Sequence, residues 1–127
     1  MKQILVVDDD ALMHRLLQHH LEKAGYQMAS AKSGREALDL AARQPPNLIV
    51  MDIMMPDMDG LEALRELKKG EVTKDIPVMV ITANGHHMAR VESEQCGAAI
   101  FMTKPFSPTQ LLTELRKLVP PDETKPS

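Results

Sequence analysis

The chain has 127 residues, 43% of them hydrophobic and 26% charged, which is the composition of one ordinary globular domain rather than of a disordered segment. Its formal charge is −3 with no basic block, which argues against direct nucleic-acid binding by this segment. A single cysteine, Cys96, excludes an internal disulfide and fits a cytoplasmic setting, and no apolar run approaches the length of a membrane helix.

In chain order, "MKQILVVDDD" places a continuous apolar run at Gln3–Val7, too short for a signal peptide and ended by acids. An uninterrupted run of this kind predicts a strand covered on both faces. Leu12, Leu16, Leu21 and Ala24 then recur at helical spacing, with Asp10 as the cap and Gly25 as the stop. Tyr26–Ala31 reads as a weaker strand. Ser33 and Glu36 form a capping box for a second helix with Ala37, Leu38 and Ala41 on its inner stripe. After "PPN", Leu48–Met51 is a third strand.

A third helix opens at Asp59, with Glu62 three residues on and Leu61, Leu64 and Leu67 facing inward. Pro77 leads into a fourth strand, Val78–Thr82. Residues 85–96 make a sparse helix carried by Met88, Val91 and Cys96, and Ala99–Met102 a fifth strand. Ser107, Pro108 and Gln110 then supply a cap, a first-turn proline and a capping-box partner. The last helix carries Leu111, Leu112, Leu115, Leu118 and Val119. Three prolines among residues 120–127 predict a tail or linker rather than a folded element, so the domain is expected over residues 1–119.

Strictly alternating strands and helices predict an α/β fold, a doubly wound five-stranded parallel sheet. In such sheets the ligand crevice lies beyond the carboxyl ends of the strands. Asp8, Asp9 and Asp10 follow the first strand, Asp52 the third, Thr82 ends the fourth and Lys104 follows the fifth. Asp8, Asp9 and Asp52 are therefore expected to converge. Two carboxylates about 4 Å apart repel by about 4 kcal/mol at an effective dielectric near 20, so a cation must offset them. Lys104 is one candidate. A hard divalent ion is the other, and an oxygen-only set of this size suits hydrated Mg2+ better than a calcium cage or zinc. Such a pocket suits a phosphoryl group, with a carboxylate as nucleophile.

The stretches "ILVVDDD", "LIVMDIMMPDMDG", "VMVITA" and "MTKPFS", with Thr82 and Lys104 placed 30 and 52 residues after Asp52, resemble the receiver domain of two-component response regulators. The likeness runs from Lys2 to about Val119. It implies a flavodoxin-like sheet in the order 2-1-3-4-5, with Asp52 accepting a phosphoryl group from a sensor histidine kinase or a His-phosphotransfer domain. It further implies Mg2+ held by Asp9, Asp52 and the Met54 carbonyl, with Asp8 acting through water. Thr82 and Phe101 are implied as switch residues, Lys104 as the phosphoryl-pairing lysine, and Lys104–Pro105 as a cis peptide. Met54 and Asn84 would flank the site and tune phosphoryl lifetime. The run "GAAIF", Gly97–Phe101, departs from the acidic run of many winged-helix-coupled receivers. It implies a more apolar face on the fourth helix, fifth strand and fifth helix that docks a different downstream protein or output domain.

The resemblance implies a signalling domain that catalyses only its own phosphotransfer and dephosphorylation. Three other readings share the architecture. An aspartyl phosphohydrolase would want a second acid where Met54 stands, a flavin module would want a phosphate loop where "DDD" stands, and an unphosphorylated docking domain would not need the full acid set. Met51, Met54, Met55 and Met58 read as packing filler, and the pairs His19–His20 and His86–His87 as exposed residues rather than chelates. The length leaves room for a receiver alone, either free-standing or at the start of a longer protein.

Overall fold

A computed structural model describes residues 2–54, 60–83 and 87–121, the side chains of His87 and Met88 excepted. Five strands and five helices alternate: β1 (Gln3–Val7), α1 (Ala11–Lys23), β2 (Gln27–Ala31), α2 (Gly34–Arg43), β3 (Leu48–Met51), α3 (Gly60–Lys69), β4 (Val78–Thr82), α4 (His87–Gln95), β5 (Ile100–Thr103) and α5 (Pro108–Leu118). The strands form one parallel sheet in the order β2-β1-β3-β4-β5. None of the described helices is long and apolar enough to cross a membrane. The predictions for Asp59, Asn84, Met55, Met58, His86, the Met88 side chain and residues 122–127 fall outside the described residues.

Alternate residues of the central strands enter two separate cores, which is why those strands read as unbroken apolar runs. Leu5, Val7, Ile49, Met51, Val78 and Val80 pack with α2 and α3 on one face. Ile4, Val6, Leu48, Val50, Met79 and Ile81 pack with α1 and α5 on the other. Asp10 caps α1 by accepting from the Leu12 N–H, and Gly25 follows the helix at φ +96°, a left-handed position that favours glycine.

Local details differ from the sequence reading in several places. The buried stripe of α1 is Met13, His14, Leu17 and Leu21, while Leu12 and Leu16 are exposed. Apolar residues at 12, 13, 16 and 17 supply two overlapping stripes, and docking on the sheet selects one. Among the described side chains of α4 the buried positions are Ala89 and Ser93, with Val91 half-buried, as is Cys96 just beyond the helix; Ser93 satisfies its hydroxyl by donating to the Ala89 carbonyl. Strand β5 lies one residue later than expected and includes Thr103, which pairs with Thr82. At α2 the Ser33 hydroxyl accepts from the Glu36 N–H as expected, but the Glu36 carboxylate accepts from Lys32 rather than from the cap residue. The histidine pair on α1 is exposed at His19 and half-buried at His20, with the rings edge to face.

Tyr26 ties the entry of β2 to the end of α5. It is fully buried, and its hydroxyl donates to the Val119 carbonyl at 2.6 Å. Burial pushes its pKa above the ordinary 10.0, against the opposing charge of Arg116. A raised acid pKa stabilises the fold at every pH below the ordinary value, and that contribution is lost as pH climbs through the raised one. Tyr26→Phe should lower unfolding stability by about 1–2 kcal/mol at neutral pH, because the carbonyl loses its donor. Urea denaturation of both proteins checks this, and the gap between them should narrow above pH 10.

Candidate phosphoryl-transfer site

Strand register brings the acids together. Val7 of β1 pairs with Met51 of β3, so the next residue on each strand, Asp8 and Asp52, leaves the sheet side by side. The main chain locks them there: Asp8 N–H donates to the Ala31 carbonyl and Asp52 N–H to the Val7 carbonyl. The chain passes from β1 to β2 on one side and returns to β3 on the other, so the gap between β1 and β3 is where strand order reverses.

Asp8 and Asp52 are 1% and 6% exposed, and each carboxylate is held at both oxygens. Asp8 Oδ1 accepts from the Asp10 N–H and Asp52 Oδ1 from the Met54 N–H. The two Oδ2 atoms share one ammonium: Lys104 Nζ lies 2.9 Å from each. Burial pulls the Lys104 pKa down, but the hydrogen bonds and charges of Asp52 and Asp8 outweigh it, and the pKa stands above the ordinary 10.5. Lys104 is placed at this edge by its N–H, which donates to the Thr82 carbonyl and continues the β4–β5 ladder; the Lys104–Pro105 peptide that follows is cis, as expected. Asp9 is exposed, yet a carboxylate oxygen from each of Asp8, Asp9 and Asp52 lies within 4.8 Å of the others.

Thr82 ends β4 fully buried. Phe101, on β5, is half-buried; the Arg90 guanidinium of α4 lies 5.6 Å from its ring centroid, at cation–π range. Met54 has a mostly exposed side chain, and its described contact with the site is the N–H bond to Asp52. Two features of this region have no counterpart in the sequence reading. Gly60, at the start of α3, donates its N–H to the Ile53 carbonyl and packs directly on the chain that carries Asp52. His14 touches the Asp8 carbonyl from the buried face of α1; the 14–17–21 spacing of that face would have flagged it.

The acids, Thr82 and Lys104 thus meet at one edge of the sheet, with Lys104 bonded to Asp8 and Asp52 and the three carboxylates within 4.8 Å of one another. Residues 4–116 match the family described as the response regulator receiver domain. The chain belongs to that family. Its role is that of a receiver in two-component signalling, a phosphoacceptor signalling domain. The receiver is similar to the phosphate regulon transcriptional regulatory protein PhoB of Pseudomonas aeruginosa, at 36% identity over 93% of this chain and 52% of the relative. Among solved structures it resembles the chemotaxis protein CheY4 of Vibrio cholerae, with a TM-score of 0.88, 31% identity, and coverage of 94% of this chain and 99% of that one. It also resembles the receiver domain of a signal transduction histidine kinase from Syntrophus aciditrophicus, with a TM-score of 0.87, 34% identity, and coverage of 100% and 96%. The receiver spans about half the length of the curated relatives it matches.

Proposed function

We propose that Asp52 is the phosphoacceptor and that Asp8, Asp9, Asp52 and the Met54 carbonyl hold Mg2+ beside it. The supporting observation is the single ammonium of Lys104 bridging Asp8 and Asp52 at 2.9 Å. It marks a pocket built to seat positive charge between two buried acids. The donor set fits the ion: it is oxygen-only, and three carboxylates are too few for a calcium cage. When bound, Mg2+ neutralises oxygens of the incoming phosphoryl group and of the acids.

The chain's own residues do the rest. Asp52 attacks phosphorus with a carboxylate oxygen while the bond from phosphorus to the donor histidine breaks, and the imidazole departs. The β3 end and the Met54 N–H keep that carboxylate aimed. Lys104 then pairs with a phosphoryl oxygen, and the Thr82 hydroxyl donates to another. The new group adds about −1.5 to −2 charges, which draws Thr82 inward and lets the Phe101 ring follow. That motion changes the face of α4, β5 and α5. Ala99, Ile100, Phe101 and Met102 line a shallow pocket there together with Arg90, Glu94, Gln110 and Glu114. A downstream protein or output domain reads this face.

The phosphodonor is a sensor histidine kinase or a His-phosphotransfer domain. An apolar groove of about 440 Å³, lined by Met13, Leu16, Ala83, Pro105 and Phe106, borders Lys104 and offers such a donor a place to rest. The activity is limited to the receiver's own phosphorylation and dephosphorylation. Residues 1–119 make the receiver and residues 120–127 a tail or linker. The setting is the cytoplasm, and with a charge of −3 this segment does not itself bind nucleic acid.

Incubation with a small acyl phosphate tests the proposal. Intact mass should rise by one phosphoryl group with Mg2+ and stay unchanged without it or in Asp52→Asn. Incorporation that survives Asp52→Asn would overturn the assignment.

A further inference from the structure

One buried polar group, His14, borders the acids but stands outside the machinery assigned above. His14 is 8% exposed, and its Nε2 meets the main-chain carbonyl of Asp8 at 2.6 Å. A carbonyl only accepts, so Nε2 carries a proton and donates. The other ring nitrogen, Nδ1, is the one buried side-chain nitrogen or oxygen among the described residues that has no hydrogen-bond partner. An unpartnered buried polar atom is costly, and an aliphatic side chain would fill the same space without that cost. What the imidazole supplies, and a leucine cannot, is the donor to Asp8.

That donor acts at a sensitive point. Asp8 lies one residue past the last β1–β3 pair; its N–H is still held by the Ala31 carbonyl, but its own carbonyl is the first main-chain group beyond the paired residues. Its carbonyl and the Asp9 N–H belong to one planar peptide unit. Pinning the oxygen therefore sets the tilt of the unit that joins the two acids. Asp8 has further anchors at its carboxylate, to the Asp10 N–H and to Lys104. The Asp9 side chain is exposed and makes no hydrogen bond to the described residues, so its direction depends on that peptide.

We propose that His14 is a positioning residue for the cation site, holding the Asp8–Asp9 peptide so that both carboxylates face Asp52. The inference rests on the magnesium reading above. Its test is calorimetric titration with Mg2+ alone of the wild type, His14→Leu and His14→Gln, with thermal unfolding of each. His14→Leu should bind Mg2+ about 10- to 100-fold more weakly, as removal of groups that orient metal ligands commonly does. His14→Gln, whose amide can donate to the same carbonyl, should recover most of the affinity. Equal affinity in wild type and His14→Leu, or a loss that glutamine does not rescue, overturns the positioning role and leaves the function reading standing. A wild type that binds no Mg2+ overturns both. Should His14→Leu not fold, nitrogen–proton correlation spectra of the wild-type imidazoles decide: a protonated Nε2 on His14 that shifts on Mg2+ addition supports the role. An unprotonated Nε2, or a signal indifferent to Mg2+, ends it.

Discussion

Lys104→Met should lower the stability of the Mg2+-free receiver by about 3 kcal/mol, and added Mg2+ should restore most of that loss. The lysine is the shared partner of two nearly buried carboxylates, 2.9 Å from each, and its own side chain is 22% exposed. Without it, acids whose oxygens lie within 4.8 Å of one another face a repulsion of about 3–4 kcal/mol at an effective dielectric near 20. Backbone donors to each Oδ1 remain, which keeps the loss near the lower end of the range for breaking a buried pair. A dication seated among the same acids replaces the missing charge, so Mg2+ should stabilise the variant far more than the wild type. Phosphorylation, in contrast, should stay severely reduced even with saturating Mg2+, because the phosphoryl oxygens lose their ammonium. The pH dependence is a second signature. The Lys104 pKa is raised, so the bridge contributes fully below pH 10.5 and is lost as pH climbs through the raised value. The variant should lack that part of the alkaline decline. Urea titrations with and without Mg2+, repeated at alkaline pH, measure the three stability effects, and intact mass after incubation with an acyl phosphate measures the phosphorylation. A variant that Mg2+ stabilises no more than the wild type would contradict the shared-charge account.

The three central strands were legible because a parallel strand buried on both faces needs no alternation, only an apolar run. β1, β3 and β4 lie where those runs lie. Their order was not legible from the runs themselves and came with the family resemblance. The edge strands blurred: Thr103 completes β5 by pairing with Thr82, and apolarity does not mark a threonine. Helix faces blurred for two different reasons. On α1, Leu12 and Leu16 compete with Met13 and Leu17, and packing rather than composition decides. On α4, a buried serine that donates to its own helix is invisible to hydropathy. The acids and the lysine were readable because parallel register turns positions after strands into neighbours. His14 was hidden behind the wrong helix face and behind the expectation that histidines are exposed. Gly60 was hidden because closeness to Ile53 is a property of the folded chain.

Gly60→Ala is the sharpest test of how the Asp52 segment is held, because two principles predict opposite signs. Alanine is the better helix former by about 1 kcal/mol, so propensity alone predicts a stabilised α3. Packing predicts the reverse. A Cβ at position 60 would fall on Ile53 Cα, with the Asp52 carbonyl oxygen at 2.8 Å and Ile53 Cβ at 2.9 Å. The obstacles are main-chain atoms and a Cβ, which have no rotamer to yield, and the Gly60 N–H to Ile53 carbonyl bond holds the two segments together. Relief requires the start of α3 to move away from the end of β3. A strain of about 3 kcal/mol, at the upper end for overpacking, exceeds the propensity gain, and the net loss should be about 2 kcal/mol. The catalytic loss should be larger than the stability loss suggests. Displacing Asp52 by about 1 Å relative to Lys104 and Asp9 is enough to slow phosphoryl transfer roughly 100-fold. Phosphorylation rates at low temperature, where the variant remains folded, separate the two effects. A stabilised Gly60→Ala with a normal rate would show that the β3–α3 segment gives way freely and that Asp52 is aimed by its strand alone.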